Sequence, residues 1–204
     1  MYSPAYNRVE DRAELVAFMR ANSFAVLVTG TGGALHASHL PVQIRFSKEK
    51  FVLDMHMAKN NPQWQEFFDD EVMVVFSGPH AYVSPRWYEE QERVPTWNYA
   101  AVHAYGVPKL IDDKKLKHRN QRGLVEILDP KWLPKFDALS PEYVSKMLDG
   151  IVNFEIEVTR VDTRWKLSQN RSRREQELIA AALDKSPDSA ERALAALTRK
   201  HLVD

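Results

Sequence analysis

The run from Thr96 to Ile111 constrains this chain more than any other segment, because Trp97, Tyr99, Ala101, His103 and Tyr105 alternate with Asn98, Ala100, Val102 and Ala104. A period of two sends alternate side chains to opposite faces of a strand, here one aromatic and polar face and one that is mainly small and apolar. A long strand of this kind needs a sheet around it. Short β-rich runs separated by turn signals supply one: Phe24–Thr29, the Gly30–Gly33 turn, Ala34–Phe46, the charged Ser47–Lys50 turn, Phe51–Met57 and, further on, Val72–Phe76 and Ile151–Val161. Gly78–Pro95, interrupted by Pro79, Pro85 and Pro95, is expected to be a long surface loop.

Helices are signalled between and after these runs. Asp11 and Glu14 have capping-box spacing ahead of Leu15, Val16, Phe18 and Met19, which predicts a helix ending near Asn22. Asn61-Pro62 starts a short helix to about Asp69, Asp113–Leu128 forms another, and Ser140-Pro141 opens a further one to Leu148. Ser172 and Glu175 repeat the capping box before Leu178, Ile179 and Leu183, and Ser186-Pro187 introduces the last helix. The fold class is therefore α+β, mainly β, with a helical pair at the end of the chain. The boundary falls near Arg171, where β character stops.

Composition excludes several function classes. Lys plus Arg and Asp plus Glu both number 28, so no global attraction to nucleic acid or anionic lipid is expected. The sequence contains no Cys, which removes disulfides, thiolate metal sites and Cys nucleophiles. No apolar run approaches the roughly 18 residues of a membrane span. The start, Met1-Tyr2-Ser3-Pro4, lacks a signal peptide's basic and apolar regions, so a cytoplasmic protein without membrane attachment is expected.

The common motifs are absent. Gly30 and Gly32 have the first spacing of a dinucleotide fingerprint, but position 35 is Leu35 and the turn joins two strands. Five of the seven His lie between His36 and His103, yet His36 and His39 point to opposite faces of one strand and cannot share an ion, so no metal is assigned. Ala58-Lys59-Asn60-Asn61-Pro62 places a Lys and two amides where a strand ends and a helix begins. Such a turn can hold a phosphate monoester, or Asn61 can simply cap the helix beside a solvated Lys59. Residues 160–174 carry a local net charge of +5, suited to gripping phosphate, to touching DNA, or to solvating a strand end. Trp97 and Tyr99 can bound a planar ring or pack in a core or dimer interface.

Seven blocks, in one order along nearly the whole chain, carry a resemblance. They are Met1–Pro4, Ala37–Pro41, His56–Trp64, Phe76–Pro85, Val94–Tyr99, Ala101–His103 and Trp165–Arg171. Together they resemble the PaiB-type family of FMN-binding negative transcriptional regulators. The chain departs from that family's usual pattern at Met55, Arg164, Arg86 and Glu89-Glu90. The resemblance implies an FMN-binding split β-barrel over residues 1–171 with peripheral helices, followed by a C-terminal helical extension over residues 172–204. It also implies a homodimer with the flavin in a cleft between subunits. Carried over by position, it puts Ser38, His39, His56, Ala58, Lys59 and Asn61 around the ribityl phosphate. Ser168, Gln169 and Asn170, with Lys166 as an added cation, meet the flavin from the barrel's other side. Trp97 or Tyr99 would bound its ring.

The expected function is then FMN-binding transcriptional repression, with promoter DNA contacted by Arg171, Arg173, Arg174 and the helical pair. No catalytic dyad is recognisable, so a non-catalytic role is expected. The alternative is an FMN-dependent oxidoreductase of the split-barrel class, in which a ring beside His56 or His103 passes a hydride. A haem-handling split barrel with a His axial ligand is a further alternative.

Overall fold

In the computed structural model, which describes residues 1–47, 50–67, 70–89 and 92–203, the strands are β1 (Phe24–Thr31), β2 (Ala34–Ser47), β3 (Lys50–Ala58), β4 (Val72–Val83), β5 (Thr96–Ile111) and β6 (Ile151–Lys166). The helices are α1 (Arg12–Ala21), α2 (Lys114–Leu128), α3 (Leu133–Asp137), α4 (Pro141–Asp149), α5 (Arg173–Leu183) and α6 (Ser189–Lys200), with short 3₁₀ segments at Ala5–Asn7, Pro62–Glu66 and Pro85–Trp87. Hydrogen bonding orders the strands β1-β2-β3-β6-β5-β4 and closes the sheet into a barrel. A closed sheet leaves no open edge for unwanted pairing.

The chain divides into two units, Met1–Phe18, Ser77–His103 and Asp162–Asp204 in the first and Met19–Phe76 with Ala104–Val161 in the second. In the second, β1 and β2 pair antiparallel from Phe24↔Pro41 to Thr31↔Ala34 across a tight Gly32-Gly33 turn. Both glycines have positive φ, 60° and 86°, a conformation that side chains resist and that suits a two-residue hairpin. Ala25, Leu27 and Thr29 are buried in alternation on β1, whereas β3 is buried almost throughout. Strands covered on both faces read as near-continuous apolar runs, and Phe51–Met57 does so except at Asp54, which Arg45 pairs, and at His56.

The core of this unit includes Leu27, Leu53, Met55, Met57, Val74, Phe76, Phe154 and Ile156. Phe67 meets Phe154 edge-on at 4.7 Å. A Cβ on Gly106 would lie 2.3 Å from the Glu157 carbonyl oxygen and 2.7 Å from Ile156 Cγ2. Gly106→Ala must push two strands apart, and is expected to cost about 1–3 kcal/mol, read as a lower urea midpoint at unchanged slope.

The first unit is built on α1, the 77–103 segment, the end of β6 and the α5–α6 pair. Trp165, Leu167, Ile179, Leu183, Leu194 and Ala195 are buried in it, with Phe18 and Trp165 ring centroids 4.6 Å apart. Asp11 accepts from the Glu14 N–H at 2.7 Å and Ser172 Oγ from the Glu175 N–H at 3.2 Å, so both capping residues terminate their helices as their spacing predicts.

Several boundaries differ from the sequence reading. Gly78–Val83, expected in a loop, continues β4, and Pro85–Trp87 is helical. Proline lacks an N–H but not a carbonyl, so Pro79 can sit in a strand where no donor is needed. β6 runs on to Lys166, and α3 had no sequence signal strong enough to mark it. The last helix is capped by Asp188, whose carboxylate accepts from the Ala190 N–H, rather than begun at Ser186-Pro187. The turn at Lys48-Glu49, the helix end at Phe68-Asp69 and the departure at Glu90 lie outside the described residues. Among the described residues no helix is long and apolar enough to cross a membrane.

Candidate functional site

The turn at Ala58–Pro62 is held at both ends. Lys59 N–H donates to the Gly150 carbonyl at 2.9 Å, and the Lys59 carbonyl accepts from Trp64 Nε1 at 3.0 Å. The exposed Lys59 side chain makes no hydrogen bond among the described residues, and its charge helps Lys114 keep the Asp149 carboxyl below its ordinary range. Fixed backbone with an available ammonium is what an anion needs.

Asn61 Nδ2 donates to Ser38 Oγ at 2.8 Å, while Asn61 Oδ1 accepts from the Gln63 N–H at 3.0 Å. The Ser38 hydroxyl proton therefore remains available to donate. The expected helix after Asn61 is a five-residue 3₁₀ segment, too short for a useful macrodipole, so the anion argument rests on Lys59 and side-chain donors.

Gln63 was not singled out from the sequence and ties the turn to the barrel. Its buried amide donates to Leu27 O at 3.3 Å, Thr29 Oγ1 at 3.2 Å and His36 O at 3.2 Å. Glu66 accepts from Thr29 Oγ1 at 2.7 Å and faces His36 Nδ1 at 2.5 Å. Only tertiary packing brings these residues together; neither spacing nor residue type announces them.

The remaining residues of the expected phosphate set are dispersed within this unit. His39 is exposed, 6.0 Å from the Phe24 ring, and Ala58 is exposed at the strand end. His56 is half-buried, facing an apolar cavity against α4, and burial pushes its imidazole pKa down. Ser38 and Asn61 are joined directly and Lys59 lies on the same turn two residues before Asn61, while His56 stands on the wall of the α4 cavity.

In the first unit, Trp97 and Tyr99 line a cavity with Ser77, Gly78 and His80, and Trp97 lies 6.0 Å from the His80 ring. Trp97 is 54% exposed, an open flat surface. Asn98 is fully buried and donates to Ser168 Oγ at 2.9 Å, with the Ser168 hydroxyl returning a bond at 3.2 Å. This reciprocal pair holds Ser168 at φ 66°, which a serine adopts only when its surroundings require it. Gln169 folds back onto Leu167 N and the Trp165 carbonyl, Lys166 bonds Thr96 Oγ1, and Asn170 is exposed.

Arg171 stands 5.3 Å from the Tyr88 ring, Arg173 pairs with Glu177 at 3.4 Å, and Arg174 with Glu89 at 3.4 Å. Exposed pairs of this kind contribute little and exchange readily for another anion. Among the described residues no cluster of three or more His, Asp or Glu is arranged to hold a metal.

Comparison with known proteins gives the family and the fold. Residues 1–160 match the family model described as "Putative FMN-binding domain". The chain is 37% identical over 185 residues to protease synthase and sporulation protein PAI 2 of Bacillus subtilis (strain 168), covering 84% of each. Two solved structures share the fold: a flavocytochrome of Azotobacter vinelandii (TM-score 0.61, 15% identity, 79% of this chain and 74% of that one) and a FAD and heme binding protein of Mycobacterium smegmatis (TM-score 0.62, 13% identity, 78% and 72%).

Proposed function

The chain belongs to this family of FMN-binding domains, and from that premise we propose that it is a homodimeric, FMN-binding negative regulator of transcription in the cytoplasm. FMN is its cofactor. The regulatory part of the reading is carried by one observation, the 37% identity across 84% of a relative whose name ties it to protease synthesis and sporulation.

The residues present suit the flavin's phosphate. Lys59 supplies a full charge from a fixed turn, the Ser38 hydroxyl a donor, and the Asn61 amide its remaining proton. Bound FMN supplies reversible electron transfer and a planar ring. In this reading Trp97 and Tyr99 offer flat surfaces to that ring, and Lys166 with the Ser168–Asn170 segment provides further polar contacts. The DNA-phosphate contacts in this reading are Arg171, just before α5, and Arg173 and Arg174 in its first turn, where the Arg173–Glu177 and Arg174–Glu89 pairs are exposed and weak.

The test is salt-dependent binding of the FMN-loaded protein to promoter DNA from adjacent genes, set against reduction of its flavin by NAD(P)H. Sequence-selective binding without turnover is expected. Replacing all three arginines with alanine should weaken binding and flatten the salt slope by about 3. Rapid NAD(P)H turnover with no selective binding would replace the regulator with an oxidoreductase.

A further inference from the structure

Helices α2, α3 and α4 cover a cavity of about 280 Å³ lined by His56, Gln121, Phe136, Leu139, Tyr143, Val144, Met147, Leu148 and Ile151. Apart from the polar tip of Tyr143, two polar side chains interrupt this apolar wall, His56 from β3 and Gln121 from α2. Tyr143 is 51% and Met147 45% exposed, so the cavity can be reached from solvent.

Polar groups beneath it lack partners. His56 makes no hydrogen bond, ion pair or ring contact among the described residues. Asn153 pairs with His56 across β3 and β6, which places both side chains on one face of the sheet. It is 1% exposed, and neither its Oδ1 nor its Nδ2 has a partner among the described residues. Asn153 does not line the cavity, so it is His56, on the cavity wall and without a partner, that is placed to meet a bound polar group.

We propose that this cavity is a second small-molecule site, distinct from the flavin site, that takes an uncharged ring compound bearing a hydroxyl group, with the hydroxyl donating to the His56 imidazole. Three observations choose this class. The volume matches a single substituted ring rather than a tricyclic flavin with its ribityl phosphate. The wall is apolar and carries no acidic or basic side chain other than His56, so a charged ligand would be desolvated without compensation. Burial pushes the imidazole pKa down and so favours its neutral form, in which one ring nitrogen is an acceptor.

The test uses the full chain with and without FMN and three probes of one size, 4-methylphenol, toluene and 4-methylbenzoate. Binding is read from the His56 ring and Met147 methyl resonances. 4-Methylphenol is expected to shift both and to bind about tenfold tighter than toluene, the increment of one hydrogen bond to a buried group. His56→Phe keeps the cavity filled and apolar, and should abolish that tenfold preference while toluene still binds. Met147→Trp, at the exposed rim, should block both. Equal binding of 4-methylphenol and toluene to the unaltered chain, preference for 4-methylbenzoate, no shift with any probe, or displacement of 4-methylphenol by FMN would each overturn the proposal.

Discussion

Trp165→Ala is expected to destabilise the protein by about 3–5 kcal/mol, the cost of truncating a large side chain in a packed core. Trp165 is 1% exposed and its ring sits 4.6 Å from Phe18. Its neighbours are fixed from several directions, Leu167 fully buried and Gln169 folded onto the Trp165 carbonyl, so little can collapse into the space. Trp165→Phe should cost far less, because it keeps most of the ring volume and removes a buried indole N–H that has no partner among the described residues. Urea unfolding of both variants, with FMN affinity measured alongside, separates the roles. A phenylalanine variant that holds FMN normally and an alanine variant that melts early place Trp165 in the core. An alanine variant as stable as the parent would show that the core is not organised around it.

This residue also shows what a sequence can and cannot disclose. Trp165–Arg171 is a block of the family resemblance, and a run of Trp, Lys, Ser, Gln and Asn invites a ligand-binding reading throughout. The structure divides it: Trp165 and Leu167 pack inward, while Ser168 holds a left-handed turn through Asn98. The turn depends on a partner 70 residues away, which no local pattern encodes.

The strand at Thr96–Ile111 was legible because Trp97 to Tyr105 alternate in sequence and its inner face is small. Gly78–Val83 was not, because Gly and Pro signal turns locally, whereas pairing within a closed sheet is a tertiary matter. The site follows the same division. The turn at Lys59–Pro62 could be read from charge and capping chemistry, but His56, two residues before Ala58, could not be separated from it. A strand and a turn differ in where they send a side chain, and α2–α4, which cover His56, lie far along the chain.

Lys59→Ala is expected to weaken FMN binding by tenfold or more, on the order of the 1.5–3 kcal/mol typical of a hydrogen bond to a charged group. Stability should change little, since the side chain is exposed and makes no hydrogen bond among the described residues. The backbone of the turn persists in the variant, because both of its anchoring bonds, to Gly150 and from Trp64, use main-chain atoms of residue 59. Lys59→Arg keeps the charge and should recover most of the affinity, whereas Asn61→Ala removes both the bond to Ser38 and the cap on Gln63, and should lower affinity and stability together. Flavin fluorescence titration and a thermal melt on the same samples measure the two effects. If riboflavin, which lacks the phosphate, loses affinity to Lys59→Ala as much as FMN does, the ammonium is acting on some other part of the ligand and the phosphate assignment fails. A drop confined to FMN ties the charge of Lys59 to the monoester.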